Sequence, residues 1–143
     1  MKLRNKLEAV YSYDFDLIGL VSATKEYKLA WYLNQKSDLH LVKAEDIKIE
    51  FKNNSQILIS NFVFESEFIN VLLLSNKLLS SNSTINKFLV AELKQFDYLI
   101  QIKSELDDSL KQALLDIVRA LPVVTYASII DIEKLKNKEN LLF

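Results

Sequence analysis

Side chains able to catalyse or to ligate are few in this chain. Four acids stand at expected strand starts or turns: Asp14, Asp16, Glu92 and Asp97. Asp14 and Asp16 are two residues apart, so on a strand their carboxylates point to one face. Asp97 opens a second expected strand, and if the two strands are neighbours all three acids converge at one sheet edge. Such a cluster of oxygens suits a hard cation such as Mg²⁺; without one, the like charges raise each other's pKa. The competing reading leaves these acids solvated or holding turns. His40, the only imidazole, lies between Leu39 and Leu41 in a strand-like run and reads as a half-exposed sheet histidine. A serine triad built on it would also need a G-x-S-x-G turn, and Gly19 is the only glycine.

The composition removes further chemistries. With no Cys there are no disulfides, thiol nucleophiles or cysteine-ligated metals. One glycine excludes phosphate loops that need several. Lys and Arg number 18 against 19 Asp and Glu, so the net charge of −1 supplies no polyelectrolyte attraction to nucleic acid or an acidic membrane. Arg4 and Arg119 are the only arginines, and Lys134, Lys136 and Lys138, flanked by Glu133 and Glu139, read as a solvated, mixed-charge segment. Nucleic acid is therefore not an expected partner. The longest aliphatic run, Val71–Leu74, is far short of the ~20 residues that span a bilayer. The N-terminal residues lack the apolar core of a secretory signal. The expectation is a cytoplasmic protein without cofactor.

Hydrophobic residues are 50% and charged ones 26%, enough apolar material for one core, and 143 residues correspond to a single domain over 1–143. Residues 14–22 begin in alternation and become continuously apolar, as a strand covered on both faces would. Gly19 within it implies a bulge or a close approach. Residues 25–35 read as a helix capped by Thr24, although Tyr27, Leu29, Trp31 and Leu33 also alternate as on a strand. Short strands are expected at 39–43 and 47–51, a turn at 52–55, and a hairpin of 57–64 with 68–74. Residues 75–87 read as a mobile loop and 96–103 as a strand. Leu106, Leu110, Ala113, Leu114, Ile117 and Leu121 form a helical stripe that opens on a weak Ser104/Asp107 capping box and stops before Pro122. A strand over 123–130 and an apolar end, Leu141-Leu142-Phe143, complete the chain; the end is expected to dock on the core or on a partner. The resulting fold class is α+β: an antiparallel or mixed sheet with about two helices on one face.

Val90-Ala91-Glu92-Leu93-Lys94-Gln95-Phe96-Asp97-Tyr98 resembles the motif that names the bacterial IPExxxVDY family. Glu92, Asp97 and Tyr98 match at the right spacing, whereas Ala91 stands where the family has Pro. The stretches 15–22, 26–34 and 135–143 resemble the family's opening strand, its next segment and its ending. The resemblance implies a small protein of unassigned activity and brings no catalytic residue with it. Ala91 gives up the rigidity a proline would impose, so packing or a short helical turn must replace it. Glu92, Asp97 and Tyr98 then read either as a first-turn acid, a strand-start acceptor and a core tyrosine, or as a binding site together with Asp14 and Asp16.

The absence of usual catalytic apparatus points to a non-enzymatic binding or protein-interaction module, a homodimer or the partner of another protein. The alternative is a small enzyme or sensor that uses the carboxylates with a divalent cation.

Overall fold

The computed structural model describes residues 14–50, 56–78, 87–105, 109–136 and 141. In chain order the elements begin with β1 (Asp16–Val21), α1 (Glu26–Lys36), β2 (Val42–Lys43), β3 (Ile47–Glu50) and β4 (Gln56–Ile59). They continue with β5 (Asn61–Glu65), β6 (Ile69–Ser75), β7 (Lys77–Leu78), β8 (Lys87–Phe88) and a 3-10 turn at Ala91–Leu93. Next come β9 (Tyr98–Ser104), α2 (Ser109–Arg119), β10 (Tyr126–Ile130) and a 3-10 turn at Ile132–Lys134. Six strands form one sheet in the order β10-β1-β9-β6-β5-β2; β3-β4 and β7-β8 are separate two-stranded ribbons. Every pairing among the described strands is antiparallel. This is an α+β fold, as the pattern of apolar residues predicts.

The near-continuous apolar run of β1 reflects burial on both faces. Ile18 and Leu20 point to the face that carries both helices, where they join Leu29 and Leu33 of α1 and Leu114 and Val118 of α2. Leu17 points the other way, to Ile59 of β4, Leu89, Leu93 and Phe96 of the segment before β9, and Leu141. Gly19 marks a close approach: a Cβ there would lie 2.7 Å from the Phe96 ring and 2.8 Å from Ile130 Cδ1. Only glycine leaves room for Phe96 to cross the strand.

α1 forms where the helical reading places it, with Leu29, Ala30 and Leu33 buried. The alternating set does not form a buried face, because Tyr27 and Trp31 are exposed. Its cap differs from expectation: Lys25 is the N-cap, no side chain bonds there, and Thr24 instead offers its carbonyl to Tyr98. α2 buries Leu114, Leu115 and Val118 and ends at Arg119, before Pro122. It links β9 to β10 across β1, so β9 and β10 run the same way with β1 antiparallel between them.

The long strand expected over 57–64 is two strands. Ser60 separates β4, in the small ribbon, from β5, in the main sheet. The expected loop at 75–87 contains β7 and β8 at its ends. His40 lies outside the strands and is exposed. The turn at 52–55, the centre of the 75–87 loop, Leu106, Asp107 and the last two residues lie outside the described residues. The apolar end docks on the core at Leu141, which is fully buried.

Candidate functional site

Three of the expected site residues lie around the short segment that leads into β9. Ala91–Leu93 makes a short 3-10 turn that sends Leu93 into the core. Asn76, fully buried between β6 and β7, holds this segment. Its Nδ2 donates to the carbonyls of Leu93 (2.9 Å) and Phe96 (3.1 Å), and its Oδ1 accepts from Val90 N (2.9 Å). Its backbone N–H donates to the Asp97 carbonyl (3.0 Å). The sequence gives no sign of this role, since an Asn between strand runs ordinarily reads as a turn.

Asp97 and Tyr98 then tie the start of β9 to the β1–α1 connection. Asp97 Oδ2 accepts from Ser22 N (2.8 Å), and Oδ1 pairs with Lys77 Nζ (2.6 Å). The Tyr98 hydroxyl donates to the Thr24 carbonyl (2.6 Å) while its ring is buried beneath α1 and α2. Ser22 Oγ donates to the Val123 carbonyl (2.6 Å) and accepts from Thr24 N (3.2 Å). Ser22, Thr24, Ser75, Lys77, Asp97 and Tyr98 line an open cleft of about 460 Å³. Its polar atoms are largely spent on holding three chain segments together.

Glu92 serves a different segment. It is exposed, and its Oε1 accepts from Lys136 N (2.6 Å), fastening the C-terminal stretch to the 3-10 turn.

Asp14 and Asp16 lie at the other end of the sheet. β1 and β9 are neighbours, but antiparallel: Asp16 faces Ile102, whereas Leu20 faces Tyr98. Their strand starts are therefore at opposite ends, on the order of 15 Å or more apart at ~3.3 Å per residue. The expected convergence of Asp14, Asp16 and Asp97 does not occur. Asp14 lines a separate cleft of about 170 Å³ with Lys103 and Glu105, and Asp16 pairs with Lys111 at 3.6 Å. Among the described residues, no group of three or more His, Asp or Glu is placed to hold a metal ion.

Glu26, at the first turn of α1, is a residue sequence reasoning missed. Its Oε1 accepts from Ser60 Oγ, at the break between β4 and β5, and its Oε2 is buried without a hydrogen-bond partner. Burial pushes its pKa up, and Asp46 adds to this; the Ser60 bond and Lys43 oppose it. Burial, then the Glu26 and Asp97 carboxylates, push the Tyr98 phenol up in turn, so it stays a neutral donor at physiological pH.

The remaining feature is the outer strand β10. Tyr126 stacks on Phe96 with ring centroids 6.3 Å apart, yet is 55% exposed, and Ile129 is 36% exposed. No described strand pairs with the outer side of β10. Arg119 reaches from the end of α2 to donate from Nε to the Ala127 carbonyl (3.1 Å). No protein-family model, curated protein or solved structure matches this chain.

Proposed function

We propose that this chain is a non-enzymatic protein-interaction module of the cytoplasm that docks its partner on β10. One observation carries the reading. β10 ends the sheet with five uncharged residues, two large apolar side chains exposed on it, and no described neighbour. An outer strand of this kind offers unpaired backbone groups to another strand. The IPExxxVDY resemblance fits such a protein: Glu92, Asp97 and Tyr98 then act as the fasteners that hold the sheet end and the C-terminal stretch. Their bonds to Lys136 N, Ser22 N and the Thr24 carbonyl support that role.

The test is Ile129→Lys, which places a charge on the exposed edge and leaves the core untouched. The expected result is an unchanged circular dichroism spectrum with loss of partner capture from native lysate. Undiminished capture by the folded variant overturns β10 as the docking surface.

A further inference from the structure

We infer that the partner of β10 is a second copy of this chain, paired strand to strand about a two-fold axis at Ser128. This deepens the reading of β10 as a docking surface and rests on it. The direction of the backbone groups carries the argument. Leu20 accepts through its carbonyl from Asp97 N (2.8 Å), so its backbone groups face β9. Ala127 is the residue opposite Leu20 on β10. In an antiparallel ladder such a pair exchanges no hydrogen bonds, so the N–H and C=O of Ala127 point away from β1. The bond from Arg119 Nε to that carbonyl agrees. By alternation, Ile129 also directs its backbone groups outward.

Ala127 and Ile129, with Ser128 between them, form a pattern that complements itself. An antiparallel copy centred on Ser128 sets Ala127 against Ile129 of the second copy twice over, giving four N–H···O bonds. The same register sets Tyr126 against Ile130 of the second copy, an aromatic against a β-branched side chain, a favourable cross-strand pair. Charge fits as well. Arg119 sits beside the first half of β10, and Asp131 directly follows its last residue. Asp131 Oδ1 accepts from Glu133 N (3.1 Å) and Oδ2 is only 3.9 Å from the exposed Lys134, which leaves Oδ2 free to turn to a stronger cation. Two-fold pairing brings Asp131 of the second copy opposite Thr125, at a cleft of about 350 Å³ lined by Arg119, Thr125, Tyr126 and Ala127. Arg119 then exchanges the Ala127 carbonyl for a carboxylate, so its donor is satisfied before and after pairing. The opposite sheet edge is unsuited to this: β2 has two residues, one of them Lys43.

The test is sedimentation velocity of the full chain across micromolar concentrations, with hydrogen exchange at β10. The expected result is a dimer whose Ala127 and Ile129 amides gain protection as concentration rises. Arg119→Glu and Asp131→Arg should each weaken it about tenfold or more, and the double variant should recover most of the loss. Ile129→Lys, folded by circular dichroism, should be monomeric. A wild-type monomer at all concentrations overturns the second-copy inference, as does a double variant no stronger than the single ones. If that monomer still captures a protein that Ile129→Lys loses, the docking surface stands and only the second copy falls. If Ile129→Lys captures equally well, both fall.

Discussion

Asp97 is held by two partners of unequal worth, and the difference is measurable. Its bond from Ser22 N is part-buried and charge-assisted, whereas Lys77 is 60% exposed. Asp97→Ala should therefore cost about 1–3 kcal/mol in chemical denaturation, because Ser22 N loses its acceptor. Lys77→Ala should cost less than about 1 kcal/mol, as exposed ion pairs do. Glu26 makes the second prediction. Its raised pKa means that the folded state binds a proton more tightly than the unfolded chain does. The stability it contributes is fully present below the ordinary carboxylate range and is lost as pH rises through the raised value. Melting curves should show Glu26→Gln gaining on the wild type as pH rises from below the ordinary carboxylate range through the raised value; a pH-independent difference would contradict this. The roles of Asp97 and Tyr98 follow from residue type: an acid at a strand start accepts from a backbone N–H, and a buried tyrosine finds a partner for its hydroxyl. Glu26 and Asn76 cannot be read that way, because a first-turn helix acid ordinarily stays solvated and an Asn between strand runs ordinarily makes a turn, whereas Glu26 accepts from Ser60 and Asn76 donates to Leu93 and Phe96.

Strands and helices were readable wherever one period dominated. α2 shows it in outline: Leu114 and Leu121 of the expected stripe are buried and Leu110 and Ile117 partly so, but Ala113 is exposed and Leu115 and Val118 are buried instead. β1 is readable from its continuous apolar run, with Leu17 on one face and Ile18 and Leu20 on the other. Gly19 was readable as a close approach, and Gly19→Ala tests the cause. The added methyl would overlap the Phe96 ring and Ile130, so thermal unfolding should show a loss of about 1–3 kcal/mol. The break at Ser60 is not readable, because Ser60-Asn61 is only a brief polar interruption between two apolar triplets, with no Gly or Pro to mark the passage from one sheet to another. The same limit explains the separation of Asp14 and Asp16 from Asp97. A strand's local pattern fixes which face each acid shares, but not the direction of a neighbour some 80 residues later.

The sheet needs cover on two faces, and the helices supply only one of them. The other is closed by β4, the Ala91–Leu93 turn and the C-terminal stretch. Leu141 is fully buried there, and Gln101, itself buried in β9, donates to its carbonyl at 2.6 Å. Leu141→Ala should destabilise the protein by about 2–5 kcal/mol in urea titration, the range for an emptied core position. A change within error would mean that this stretch is only draped on the surface. The arrangement of β1 has a temporal corollary. β1 is the earliest described strand, yet its two neighbours begin at Tyr98 and Tyr126. On the ribosome, β1 emerges long before either ladder partner exists, and its apolar residues must wait unpaired. Closing such long loops is entropically costly and comes late. Nascent chains that end before Tyr126 therefore hold an incomplete sheet, and they are the natural clients of a chaperone that shields extended apolar segments.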